Sequence, residues 1–417
     1  MVDQLQVHGQ FKINLLISDL DAPPLPPHVT KTKYQQVNRF SEHQEQVLSL
    51  VGGAIGKCLK PLIEVQNCYV QEEIMFSCPL DESLTTCYVS IGSVSRDFKP
   101  PTYCNRTKLG CLNMTCFSDT FFTSVNEALS PSLSLDFEYC REGNGHHVIE
   151  SSFKAFGRGV RKYIDADNQL AKVDGDVSAP HIGGIRHAEK TRQTKETKIS
   201  VQIDLDKVSI LPAPENSTPT IQTGIPVFDH LLGIFFKSFL GDKYLSFLTD
   251  DGPLKLHCAG DLWIDDHHTI EDVGITLGQT FLIALGNKAG IARMGSGTFG
   301  NGAVRIVVDV SGRGGFFSDV DYRTEEFISF ADMGGSDDVT EGPELSSEML
   351  EHFFDSFINT SLVTVHFVRN KNHDQSLSAF DWATLCMMGF GEVMGECCKI
   401  DVRRGTVVAS SKGTLAS

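Results

Sequence analysis

The sequence predicts an α+β fold, with helices packed on one face of mostly antiparallel sheets. Three observations carry this. Strand-patterned segments come in pairs between long helical ones. The helical segments repeat apolar residues at helical spacing, which reserves one face for a core. The composition, 41% hydrophobic and 21% charged over 417 residues, is that of an ordinary globular protein with room for more than one core.

In chain order, "HHVIESSFKAFGRGVRKY" places Ile149, Phe153, Phe156 and Val160 at i, i+4, i+7 and i+11 of an amphipathic helix. That helix closes on Arg158, Arg161 and Lys162, cations suited to its negative end. "DADNQLAKVDGDVSAPHIGG" (165–184) breaks the periodicity with glycine, proline and aspartate and reads as a linker. It separates an N-terminal part, 1–164, from a C-terminal part, 185–417. "TRQTKETKISVQIDLD" alternates polar and apolar residues in the pattern of a strand. In "HHTIEDVGITLGQTFLIALG", Val273, Leu277, Phe281 and Leu285 recur every four residues, with Asp266 as the N-cap. "AVRIVVDVSG" (303–312) and "LVTVHFV" (362–368) are further strands. The acidic, glycine-containing stretch 324–348 between them is expected to be a solvated loop.

Charge and cysteine usage bound the partners. A net charge of −17 argues against nucleic acid or an anionic membrane as the main partner. Twelve irregularly spaced cysteines without a CxxC pair fit reduced thiols in the cytoplasm. The opening residues lack a basic segment followed by a long apolar run, and no uninterrupted apolar stretch approaches membrane-crossing length. No signal peptide and no membrane span are therefore expected.

Two stretches repeat one pattern: "GHHVIE" at 145–150 and "DHHTIE" at 266–271. On a helix, residues i and i+4 share a face. His267 can thus share a cation with Glu271, and His146 with Glu150. His268 and His147 point about 100° away and are free for a different ion. Two such helices facing each other would surround two metals, each with ligands from both. Imidazole plus carboxylate suits manganese, zinc or iron. His230 in "VFDHLLGIFF" and His366 in "TVHFV" are further imidazoles, although a lone histidine in an apolar strand is more often a hydrogen-bonded core residue than a ligand. Arg293 in "AGIARMGSG", Arg313 in "DVSGRGG", and Ser411 and Lys412 in "VVASSKGTL" are what a phosphate needs, although taken singly each reads first as a group facing solvent. No HExxH, GxGxxG, Walker or GxSxG pattern stands in a usable context.

These residues together resemble a family. "RQTKET", "GIPVFDHLL", "DLWIDDHHTIEDVGITLGQ", "GIARMG", "VVDVSGR" and "SSKG" follow one another in the order and approximate spacing of imidazoleglycerol-phosphate dehydratase, a lyase of histidine biosynthesis. The resemblance runs from about 185 to the C-terminus. It departs after the His366 strand, where the family has another HHxxE and this sequence has "NHDQSLSAF". There His373 remains, while Asp374 and Leu377 replace the second histidine and the glutamate. The N-terminal part resembles the second half of the same family through "PLDESLTTCYVSI" and "LSLDFEYCREGNGHHVIESSFKAFGRGV". Upstream, "HQEQVLSLVGGAIGKCL" is similar to the partner helix with its ligands gone.

The resemblance implies a ribosomal protein S5 domain 2-like fold in two tandem copies, each retaining the opposite half of one site. It implies two manganese ions per site, one on His230, His268, His146 and Glu150, the other on His267, Glu271, His366 and His147. It also implies Glu196 as the acid/base carboxylate and Arg293, Arg313, Ser411 and Lys412 as the phosphate clamp. The expected reaction removes water from imidazole glycerol phosphate to give imidazole acetol phosphate, in a large homo-oligomer. The losses at Asp374 and Leu377 motivate the alternative of a catalytically inactive, metal-binding homologue.

Overall fold

The chain folds as two units, Met1–Val177 and Ser178–Ser417, in a computed structural model. The residues it describes are 1–14, 44–64, 73–103, 107–109, 112–166, 186–206, 220–241, 254–328, 344–373, 377–410 and 414–415.

In the first unit, α1 (Val2–Gly9) and α2 (Gln44–Glu64) precede a hairpin of β1 (Glu73–Leu80) and β2 (Ser83–Ile91). Its two-residue turn holds Asp81 at φ 47°, a left-handed conformation that aspartate tolerates. A short ladder, β3 (Lys108–Leu109) with β4 (Leu112–Asn113), leads to a π-helical turn, Phe117–Phe122, continuous with α3 (Thr123–Leu129). β5 (Leu133–Arg141) joins β2 to complete an antiparallel sheet, β1-β2-β5, and α4 (Gly145–Ala166) packs across β1 and β2. The expected apolar stripe is the buried face of α4, with Ile149, Phe153, Phe156 and Val160 at most 1% exposed. Phe153 meets Phe117, Phe121 and Phe122 at ring-centroid distances of 6.1, 4.9 and 5.1 Å. Truncating a core phenylalanine so placed costs about 3–5 kcal/mol. Arg161 does not face the negative end of its own helix, which runs on to Ala166. Its guanidinium donates to the carbonyls of Gly9 (2.8 Å) and Gln10 (3.2 Å), satisfying the end of α1.

Among the described helices, α2 alone is long and apolar enough to cross a membrane. Along it, Val51, Ile55, Leu59 and Ile63 make a buried stripe at helical spacing, the pattern of a helix packed on a core.

The second unit opens with β6 (His187–Gln193) and β7 (Thr197–Asp204). Alternation alone reads as one strand here, but the structure has a hairpin. The Thr194 hydroxyl accepts from the backbone N–H of Glu196 (3.1 Å) and Thr197 (2.9 Å), a local turn that reverses the chain. β8 (Ile221–Gln222), α5 (Pro226–Leu240), β9 (Leu254–Gly260) and α6 (His267–Leu285) complete the first half, with sheet order β6-β7-β9-β8. The second half repeats the plan with β10 (Met294–Phe299), β11 (Val304–Asp309) and β12 (Gly315–Ser318). A two-residue ladder follows, β13 (Phe327–Ile328) with β14 (Leu345–Ser346), closing the base of the acidic stretch. Then come α7 (Met349–Ser361), β15 (Thr364–Arg369) and α8 (Ala379–Cys398), with sheet order β10-β11-β15-β12. Each four-stranded sheet is antiparallel except for one pair, β8 with β9 or β12 with β15. α6 rests on β6 and β7, α8 on β10 and β11, and the pairs α6–α7 and α5–α8 join the layers over one core. The fold is α+β.

The two halves of the second unit thus share one topology, and the first unit repeats part of it. Sheet β1-β2-β5 with α3 and α4 follows the order of β10-β11-β15 with α7 and α8, and α2 pairs with α3 as α6 pairs with α7. The helix contacts agree. A glycine pair one turn apart lets backbones touch in α6 (Gly274, Gly278, against the Phe353 and Phe357 carbonyls) and in α2 (Gly52, Gly56, against those of Phe121 and Val125). Aligned on these glycines, the α2 positions matching His267, His268 and Glu271 are Glu45, Gln46 and Ser49.

Asp266 occupies the N-cap position of α6, but its side chain does not cap the helix. Its carboxylate accepts from the Ser346 N–H (2.7 Å) and hydroxyl (3.0 Å), tying the α6 start to β14. Among the described residues the cysteines are free thiols, Cys397 and Cys398 included.

Candidate metal centre

In the first unit, the chain turns from β5 into α4 at Asn144, whose side-chain oxygen accepts from the His146 N–H (2.9 Å) and whose carbonyl accepts from the Val148 N–H (3.0 Å). His146 Nε2 lies 3.1 Å from Glu150 Oε2, the one-turn pairing read from spacing. Glu150 is fixed from its other oxygen by the buried Lys154 ammonium (3.1 Å) and the Gln4 amide (3.0 Å). Burial works to raise the Glu150 pKa. The charge and hydrogen bond of Lys154, then those of His146, outweigh it and hold the carboxyl below its ordinary value.

His147 turns the other way. Its Nδ1 lies 3.2 and 3.1 Å from the two oxygens of Glu82, and its Nε2 is 3.8 Å from Asp81 Oδ2. Glu82 in turn accepts from the Asn144 N–H at 2.7 Å. Burial tends to raise the Glu82 pKa, but the backbone hydrogen bonds and His147 bring it below the ordinary value. Asp81, Glu82 and His147 place one donor atom each within 4.8 Å of one another, a grouping able to hold a cation.

In the second unit, α6 opens in the same way. His267 Nε2 is 3.9 Å from Glu271 Oε2. His268 Nδ1 meets both oxygens of the buried Asp261, at 3.3 and 3.2 Å, while its Nε2 stands 3.9 Å from Glu196 Oε1. The Asp261 hydrogen bond leads the effects that raise the His268 pKa. The paired rings are arranged alike in both units: centroids 6.1 Å apart at 77° for His146 and His147, 6.2 Å at 69° for His267 and His268.

The remaining expected residues lie as follows. His230, on α5, faces Phe380 with ring centroids 6.4 Å apart, and burial lowers its pKa. His366 is fully buried on β15 and stacks on Phe317 at 4.8 Å. Arg293 is buried, with Nε and one terminal nitrogen donating to the two oxygens of Asp309 (2.7 and 2.8 Å) and the other terminal nitrogen to the Ala409 carbonyl. Arg313 is exposed in the turn after β11, where its N–H donates to the Ser311 hydroxyl. Ser411, Lys412 and Asp374 lie outside the described residues. His373 sits in the turn after β15, ahead of α8. Where α4 and α6 open with paired histidines, α8 opens with a capping box: Ser378 accepts from the Asp381 N–H and Asp381 from the Ser378 N–H, both at 3.1 Å.

Sequence reading missed Asp81, Glu82, Asp261 and Lys154, and also His352, whose ring on α7 is 5.0 Å from that of His267. The available signal was an acidic pair at the turn of "PLDESL" and an aspartate at the end of a strand in "CAGDLW". The donor chemistry of the two helix starts, imidazole nitrogen with carboxylate oxygen, fits a borderline divalent cation.

The chain is similar to proteins of one family. A family model for imidazoleglycerol-phosphate dehydratase matches residues 38–160 and 223–386, more than half of the chain and one segment in each unit. The imidazoleglycerol-phosphate dehydratase of Acinetobacter baylyi is 35% identical over 235 residues, covering 55% of this chain and 96% of the relative. That of Azoarcus sp. is 36% identical over 233 residues, covering 55% and 100%. The crystal structure of the Staphylococcus aureus dehydratase aligns over 52% of this chain at 20% identity, with a TM-score of 0.36.

Proposed function

Since this chain belongs to the imidazoleglycerol-phosphate dehydratase family, a family of hydro-lyases, we propose that it removes water from imidazole glycerol phosphate to give imidazole acetol phosphate in histidine biosynthesis. The observation that carries the reading is the recurrence of one helix start, His-His-x-x-Glu with the second histidine held by a carboxylate, on α4 and on α6. A single-copy member of the family would need both patterns, and here each unit supplies one.

The ligands we assign to one cation are His230, His268, His146 and Glu150, and to the other His267, Glu271, His366 and His147. Manganese is the ion we propose for both. When bound, such cations lower the pKa of an imidazole N–H in the substrate. The chain's own groups supply the rest. Glu196 projects from the β6–β7 turn with half of its side chain exposed, next to His268, and is the carboxylate we assign to proton transfer at the glycerol carbons. Arg293, Arg313, Ser411 and Lys412 are the residues we assign to the phosphate clamp, with Arg293 also committed to Asp309 and to the Ala409 carbonyl. A clamp of this kind fixes position and adds no bond-making step. We assign the protein to the cytoplasm and to a large homo-oligomer, with residues of both units serving one reaction.

Turnover of imidazole glycerol phosphate by manganese-loaded wild type beside His147→Ala tests this. An active wild type and an inactive variant with less bound metal are expected. Full activity in His147→Ala would show that the second unit works alone and would sink the division of ligands. An inactive wild type would sink the dehydratase reading.

A further inference from the structure

We propose that Glu82 and Asp261 are positioning residues, each holding the proton on Nδ1 of the second histidine of its pair so that Nε2 is the nitrogen left for a cation. The inference deepens the proposed function and rests on its reading of His147 and His268 as ligands.

The geometry is the same in both units. Glu82 approaches His147 Nδ1 with both oxygens, at 3.2 and 3.1 Å, and Asp261 approaches His268 Nδ1 at 3.3 and 3.2 Å. An ionised carboxylate only accepts, so in the neutral ring the hydrogen sits on Nδ1 and the lone pair on Nε2. That choice of tautomer is what a metal ligand needs from its outer partner. The carboxylates are themselves fixed. Glu82 accepts from the Asn144 N–H at 2.7 Å, just ahead of the helix that carries His147, and Asp261 is buried. The two arise from different places, the β1–β2 turn and the end of β9, so the likeness is not inherited from a shared local motif.

The third frame of the fold supplies a control. In the second half of the second unit, the turn equivalent to Asp81–Glu82 lies between β10 and β11 and reads Gly300, Asn301, Gly302, Ala303, without a carboxylate. The helix equivalent to α4 is α8, which has no paired histidines. Carboxylate and histidine pair are present together in one frame and absent together in the other.

Mn2+ binding to the full-length protein tests this without turnover, by electron paramagnetic resonance of the free ion. Glu82→Ala is expected to weaken one class of site about tenfold to a hundredfold, with unchanged stoichiometry at saturation and an unchanged melt of the metal-free protein. Glu82→Gln retains an acceptor for Nδ1–H and is expected to fall between wild type and Glu82→Ala. Asp261→Asn should repeat the pattern at the other class. Unaltered affinity in Glu82→Ala overturns the proposal. So does loss of a whole equivalent of Mn2+, as in His147→Ala, because Glu82 would then be a ligand alongside Asp81 and His147. Wild type that binds no divalent cation overturns the metal reading as a whole, a separate result from either of these.

Discussion

Replacing Arg293 by methionine tests whether its main task is to hold the fold. Its guanidinium makes a two-pronged contact with Asp309, and both side chains are at most 5% exposed. Removing one member of a buried pair strands the other charge, at about 3–5 kcal/mol. Lys288 is buried in the same cluster, where Asp309 acts on it electrostatically, and remains as one nearby cation. That places the cost at the lower end, about 3 kcal/mol. For a unit of this size each kcal/mol moves the melting temperature by about 2–4 °C, so a fall of about 6–12 °C is expected. Differential scanning calorimetry of wild type, Arg293→Met and Arg293→Met/Asp309→Asn gives the answer. The double variant should melt above the single one, because the stranded charge is gone. A fall of less than about 2 °C, or a double variant that melts lower still, would refute the reasoning. An unchanged melt with a raised KM would leave the phosphate clamp as the only task of the guanidinium.

The other expectations are simpler. Glu196→Gln should lower kcat by about a hundredfold or more while Mn2+ binding persists, and near-normal turnover would remove Glu196 from proton transfer. Burial raises the Tyr103 pKa to about 12. The unfolded chain therefore loses this proton before the folded one does, and stability should fall as pH rises from about 10 towards 12. Burial also raises Tyr139 and Tyr322, both further than Tyr103, so spectrophotometric titration at alkaline pH should show a tyrosine ionising near pH 12 ahead of those two, and loss of that step alone in Tyr103→Phe identifies it. Gly278→Ala would put a Cβ 2.5 Å from the Phe357 carbonyl, so it should destabilise by about 1–3 kcal/mol despite the better helix propensity of alanine, as read by denaturant midpoint. Ser378→Ala should cost about 1 kcal/mol by removing the cap of α8, with no change in Mn2+ binding.

The parts of the fold legible in sequence were those written in periodicity. The stripe Ile149, Phe153, Phe156, Val160 and its counterpart Val273, Leu277, Phe281, Leu285 are the buried faces of α4 and α6. The one-turn pairing of His146 with Glu150 follows from helix geometry alone. What stayed hidden depends on contacts distant in sequence. Nothing local tells that Asp266 serves Ser346, 80 residues away, in preference to its own helix. Glu82 lies 65 residues from His147 and reaches it only because the β1–β2 turn stands beside the start of α4. The Thr194 turn was missed because alternation continues across it, and a side-chain hydrogen bond rather than a glycine or proline reverses the chain. The serine cap of α8 is local, a serine three residues ahead of an aspartate, and its spacing is legible in the sequence.

The recurrence of one sheet–helix plan three times in a single chain also bears on how the protein tolerates change. Three frames can each present a ligand-bearing helix start, and in the proposed division of labour only α4 and α6 do so. The third start, that of α8, is closed by Ser378 and Asp381 with bonds that need no ion, and the ligand its frame contributes in that division, His366, lies on β15 instead. Substitutions there are judged by folding alone, whereas those at the other two starts answer to both folding and chemistry. A chain built of repeated frames can in this way keep one helix end that answers to folding alone.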